Sequence, residues 1–136
     1  MKGHAVIVLQ DEKGRTLFIK RSMKKNTLPG KWAFPSGTIK EGENIFETII
    51  REASEELDIK VQPIYIFAKT VLTEFSAHLY FVLCRIDKDE PRIKEPDEID
   101  KIDWMTFYEF FSKFSDHEIG HGLVWLRKNP QLWRTL

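Results

Sequence analysis

Gly37-Thr38-Ile39-Lys40-Glu41-Gly42-Glu43, followed at a fixed distance by Arg51-Glu52-Ala53-Ser54-Glu55-Glu56-Leu57-Asp58-Ile59, is the stretch that decides how this chain is read. Between Asn44 and Leu57 the apolar residues Phe46, Ile49, Ile50, Ala53 and Leu57 recur at three- and four-residue intervals, which predicts a helix of about four turns with one apolar face. Asn44 is its expected N-cap. Glu52, Glu55 and Glu56 stand at i, i+3 and i+4, so their carboxylates gather on one side of that helix, beside the apolar stripe. Like-charge neighbours cost roughly a few tenths of a kcal/mol each, and the helix dipole disfavours acids in the C-terminal half. Positive groups are therefore expected close by, Arg51 and Lys60 first among them. Oxygen donors alone suit a hard divalent cation, Mg²⁺ or Mn²⁺, with positions left open for water and phosphate oxygens. The plain alternative is a solvated acidic helix face.

Outward from this helix the pattern changes to strands. Ala5 to Leu9 and Thr16 to Ile19 are short apolar runs separated by the turn residues Asp11-Glu12-Lys13-Gly14, a hairpin signature. Arg21 to Lys31 is polar and basic, ending on Pro29-Gly30, and is expected to be a surface loop. Ile59 to Leu72 and Ala77 to Ile86 are rich in β-branched and aromatic residues and are expected to form two long strands at the centre of the sheet. Asp87 to Asp103, with Pro91 and Pro96, reads as a charged loop returning to a short strand at Ile102 to Met105. Phe107 to Phe114 and Glu118 to Lys128 read as helices. Strands on either side of an embedded helix, with helices at the end, predict the α/β class: a mixed sheet covered by helices on both faces.

Residues 1–136 are enough for one ordinary core, and a single domain is expected. Lysine plus arginine, 21, balance aspartate plus glutamate, 21, so no net field points to a nucleic-acid polymer or an anionic membrane as partner. The opening apolar run is too short for a signal peptide or a membrane span, and a cytoplasmic protein is expected. The one cysteine, Cys84, sits in an apolar run and reads as a buried thiol.

Gly37, Glu43, Arg51, Glu52, Ala53, Glu55, Glu56 and Ile59 resemble the Nudix box, G-x5-E-x7-R-E-U-x-E-E-x-G-U with U apolar, and the spacing over residues 37–59 matches without insertion. Only the final glycine of the box differs, being Asp58. Upstream, Gly30-Lys31-Trp32-Ala33-Phe34-Pro35-Ser36-Gly37 is similar to the family's approach to its box, with Pro-Ser-Gly in place of Pro-Gly-Gly. The resemblance implies an α/β/α sandwich and Mg²⁺-dependent hydrolysis of a phosphoanhydride bond in a nucleoside diphosphate derivative. A nucleoside triphosphate pyrophosphohydrolase similar to MutT is the first expectation, and an ADP-ribose or nucleotide-sugar pyrophosphatase the second.

Carried over by position, Glu52, Glu55 and Glu56 would bind the metal and one of them would act as base, with the carbonyl of Gly37 as a further ligand. Glu43 and Arg51 would pair to hold the loop against the helix. A later acid, Glu98 or Asp103, would complete the site. Arg21, whose fork suits phosphate, and Lys31 are the expected substrate contacts, and Trp32, Phe34, Phe75 and Trp104 are candidates to stack on a base. Two rival readings stand beside this one. A non-catalytic module of the same fold would bind a nucleotide or a protein. His117-Glu118-Ile119-Gly120-His121 has the spacing of a helical zinc motif, although Gly120 interrupts it and no third ligand follows.

Overall fold

The hydrophobic alternation at the start of the chain organises everything around it. In the computed structural model, which describes residues 2–86 and 89–136, strand β1 spans Lys2–Gln10. Its odd residues Ala5, Ile7 and Leu9 enter one core, and its even residues Val6 and Val8 enter another on the opposite face. A strand buried on both sides belongs at the middle of a layered sheet. β1 lies there, parallel to β6 (Ala77–Ile86) from Lys2↔Ala77 to Gln10↔Arg85.

The hairpin partner β2 (Thr16–Arg21) meets β1 only at Gln10↔Thr16, after which the two strands part. The free side of β1 is then taken by β4 (Ser36–Thr38), and β2 pairs with β3 (Trp32–Ala33) and with β7 (Ile99–Met105). The sheet order is β3-β2-β1-β6-β5, with β4 and β7 off this path. One expectation is corrected here: among the described residues β5 (Val61–Leu72) pairs only with β6 and forms an edge, not the centre. Its exposed Ile64, Tyr65 and Ile66 agree with that position. A second correction concerns the later loop, whose return strand begins already at Ile99; Asp87 and Lys88 lie outside the described residues.

Helix α1 (Ile45–Leu57) covers the aliphatic face, Ile49, Ala53 and Leu57 packing against Ala5, Ile7 and Leu9. The predicted stripe is narrower than expected, because Phe46 and Ile50 are exposed and Thr48 takes a buried place. Helices α2 (Phe107–Lys113) and α3 (His121–Arg127) cover the other face with an aromatic layer of Phe18, Phe34, Phe81, Phe107, Phe110 and Trp133. This is a mixed sheet flanked by helices, the expected α/β class. Among the described residues no helix is long and apolar enough to cross a membrane.

The helix expected over Glu118 to Lys128 starts instead at His121. Residues Asp116–Glu118 form a single 3₁₀ turn, Ile119 bridges to Trp32, and Gly120 is extended, its N–H donating to the Trp32 carbonyl at 2.8 Å. His117 and His121 therefore do not share a helical face, and the zinc-motif geometry is absent.

Candidate active site

Helix α1 begins as its sequence demands. The Asn44 side chain accepts from the Glu47 N–H at 2.8 Å, and the Glu47 carboxylate accepts from the Asn44 N–H at 2.9 Å, a reciprocal capping box. Along the helix Thr48, Glu52 and Glu56 occupy one row at four-residue spacing, adjoining the buried row Ile49, Ala53, Leu57. Glu52 and Glu56 are thus half-buried while Glu55, one position off the row, is exposed.

Glu43 and Arg51 are joined as expected. Arg51 donates to both Glu43 oxygens, Nε at 2.8 Å and Nη2 at 3.0 Å, and Nη2 also reaches the Thr38 carbonyl at 3.1 Å. Thr48 adds its hydroxyl to Glu43 Oε1 at 2.7 Å. The hydrogen bonds from Arg51, then that from Thr48, hold the Glu43 carboxyl down at about 2. Arg51 Nη1 further contacts Glu52 at 2.8 Å and Glu55 at 3.3 Å, so one guanidinium steadies three carboxylates. A β-carbon at Gly37 would collide with the Glu52 carboxyl as it stands, so a larger residue there would displace that side chain.

Beyond α1, the segment before β7 brings two more acids. Glu56 is pushed up to about 9, first by burial, then by a hydrogen bond with Glu52 and the charges of Glu52, Glu95 and Glu98. Glu95 is raised as well, by burial and by Glu98, Glu55 and Glu52. Glu98, one of the two expected later acids, thus lies near enough to these carboxylates to oppose them. Asp103, the other, lies on β7 with its carboxylate accepting from the Trp104 N–H at 2.8 Å. Glu95 was missed by sequence reasoning, since nothing in a charged loop marks which of its acids folds back.

Arg21 faces the same cluster. Burial lowers its pKa, against the opposing charges of Glu98 and Glu56. Its Nε and Nη2 donate to the Thr27 carbonyl at 3.0 and 2.8 Å. Lys25 pairs with Glu98, whereas Lys31 reaches the His117 carbonyl and stands apart from the glutamates.

Arg21 also lines a pocket of about 480 Å³ with Leu28, Phe34, Ser36, Phe75 and His121. Phe75 and His121 stack there, ring centres 4.2 Å apart. Of the other candidate aromatics, Trp32 stacks on Phe114, and Trp104 borders a separate cleft of about 550 Å³ lined by Glu12 and Glu90, not by the α1 glutamates. The smaller pocket is the one joined to the acids through Arg21, and it adjoins Gly37 through Ser36. His121, seen in the sequence only as half of a metal motif, belongs to this pocket.

The donors around Glu56 are carboxylates throughout, chemistry that fits a hard divalent cation, which would neutralise their mutual repulsion. As the side chains stand, with Arg51 holding Glu52 and Glu55, no three acidic, His or Cys side chains among the described residues form a ready ligand set. The fit is one of donor type and proximity.

Comparison with known proteins decides the family, because the NUDIX domain matches residues 2–124. This chain belongs to the Nudix family. Nudix hydrolases act on phosphorus-containing anhydrides. An uncharacterized Nudix hydrolase from Yersinia pestis is 30% identical over 92% of this chain and 71% of that protein. In fold, the chain is similar to a MutT NUDIX hydrolase from Burkholderia pseudomallei, with a TM-score of 0.66 and 21% identity over 90% of this chain and 92% of that one. An ADP-ribose pyrophosphatase from Streptococcus suis gives a TM-score of 0.63 at 16% identity over 79% of this chain and 75% of that one.

Proposed function

We propose that this Nudix protein hydrolyses a phosphoanhydride bond in a nucleoside diphosphate derivative with Mg²⁺, or Mn²⁺ in its place. A nucleoside triphosphate, cleaved by water to the monophosphate and pyrophosphate, is the first substrate. The observation that carries this reading is the gathering of Glu52, Glu55, Glu56, Glu95 and Glu98 near Arg21, a residue that also lines an aromatic pocket. Glu52, Glu55, Glu56 and Glu98 would hold the metal, with the Gly37 carbonyl beside them. When bound, the cation supplies charge neutralisation for the phosphates and activation of water.

The chain's own groups account for the remainder. Arg21, opposed by the charges of Glu98 and Glu56 and lining the pocket, would grip a phosphate of the substrate; Thr27 uses its Nε and Nη2, which leaves Nη1 for that contact. Glu52 and Glu56 adjoin at four-residue spacing on one helical row, and one of the pair would receive the proton of the attacking water. Phe75 and His121 offer flat faces on which a base can stack. Arg51 and Glu43 hold the loop carrying Gly37 against α1. ADP-ribose or a nucleotide sugar is the second substrate reading, motivated by the likeness in fold to the Streptococcus suis ADP-ribose pyrophosphatase.

The test is product-resolved turnover of nucleoside triphosphates, ADP-ribose, nucleotide sugars and dinucleoside polyphosphates, with Mg²⁺ and with chelator. Metal-dependent cleavage of the triphosphates is expected. Glu56→Gln should lose most of that turnover, on the order of 10²-fold or more, while keeping its circular dichroism spectrum. Full activity in this variant would remove Glu56 from the site. Folded wild-type protein that binds nucleotides but turns over none of the panel would favour a binding module.

A further inference from the structure

Asp58 is the one position where this chain departs from the family box, and it is also where the acid-bearing loop meets the helix. Asp58 caps α1 in the left-handed conformation, φ 52° and ψ 41°, its N–H donating to the Ser54 carbonyl at 3.2 Å. Glycine suits this conformation better but has no side chain to offer. Here the carboxylate is used: Asp58 Oδ2 accepts from Arg92 Nε at 2.6 Å and lies 2.5 Å from Nη2.

The backbone repeats the attachment. The Arg92 N–H donates to the Leu57 carbonyl at 3.0 Å and the Lys94 N–H to the Glu56 carbonyl at 3.1 Å. Lys94 Nζ reaches the Ser54 carbonyl at 3.4 Å. Carbonyls that end a helix without partners are thereby satisfied, and two cations sit where the helix dipole favours them. Glu95 follows Lys94 directly, and its carbonyl accepts from the Glu98 and Ile99 N–H groups at 2.9 and 3.0 Å, a turn that faces Glu98 toward Arg21. Left to itself a segment bearing Glu95 and Glu98 would be repelled by Glu52, Glu55 and Glu56.

We infer that Asp58 and Arg92 form a latch that fixes residues 92–98 against the end of α1 and so positions Glu98 for the metal, with Glu95 beside it. Asp58 is a positioning residue, acting through Arg92, and touches neither substrate nor metal. The inference rests on the reading of the α1 glutamates as metal-binding.

The test compares wild type with Asp58→Gly, Arg92→Gln and Arg92→Lys by two readouts: amide hydrogen exchange at Arg92 and Lys94 in metal-free protein, and Mg²⁺ affinity by calorimetry. Asp58→Gly cannot harm the cap, since glycine is the residue the cap favours. It and Arg92→Gln should both speed exchange at the two amides and weaken Mg²⁺ binding roughly tenfold, with kcat at saturating Mg²⁺ little changed. Arg92→Lys should restore most of the affinity. Wild-type exchange and affinity in Asp58→Gly, or faster exchange with unaltered affinity, would overturn the latch alone. A wild-type protein that binds no Mg²⁺ would overturn the metal reading and the latch with it.

Discussion

Arg51 donates to Glu43, Glu52 and Glu55 at once, and this single guanidinium sets the electrostatics of the loop–helix junction. Its pKa is raised by the contacts with Glu43, first, and Glu52, so it stays charged across the usable pH range. The linkage with Glu43 has a definite sign. The folded-state carboxyl lies at about 2 against an ordinary 4.5, so its contribution to stability is complete above about 4.5 and is lost as pH falls towards 2. Glu43→Gln should therefore be less stable than wild type at pH 7, and the gap should close between pH 4.5 and 2. Urea unfolding at a series of pH values measures this, and a gap that stays constant down to pH 2 would remove Glu43 as its source.

The elements differ in how openly the sequence declared them. α1 and β6 were legible because a buried stripe or a doubly buried strand writes its period into the residues, and the box spacing located Glu52, Glu55 and Glu56 besides. The edge position of β5 was not legible, since strand order depends on partners far away in sequence. Glu95 was hidden for the same reason, its approach to α1 being made by a loop docking through Arg92 and Lys94. The start of α3 was misplaced because the periodicity of Ile119, Leu123 and Leu126 runs through a residue that tertiary bonding holds extended: the Gly120 N–H donates to Trp32. That short shift of the helix start changes the chemistry expected of two histidines. His117→Ala should leave turnover unaltered. His121→Ala, removing a ring stacked on Phe75 in the pocket, should raise KM several-fold while the metal requirement stays as it was. Steady-state kinetics at varied substrate and Mg²⁺ decide it: a loss of kcat restored by zinc would revive the metal motif.

At the scale of the whole molecule the sheet separates two cores of different character. α1 and its glutamates rest on aliphatic residues, whereas the pocket side rests on aromatic rings contributed by β2, β6, α2 and the segment after α3. Trp133 ties this second layer together. It is buried, stacks on Phe107 at 5.2 Å, and donates from Nε1 to the Leu126 carbonyl at 2.7 Å, at the end of the helix that begins with His121. Truncating such a side chain removes apolar burial and leaves a cavity, about 3–5 kcal/mol, a large part of the roughly 5–15 kcal/mol that hold a domain folded. Trp133→Ala should lose about that much in urea unfolding. Because both cores share β1, β2 and β6, the transition should remain single, with no separate melting of the α1 side. The same variant should raise KM more than it lowers kcat, since the ring belongs to the aromatic layer that also contains the pocket residues Phe34, Phe81 and Leu123, on the face of the sheet away from the α1 glutamates. A stability loss under about 1 kcal/mol would show that the aromatic layer holds without it.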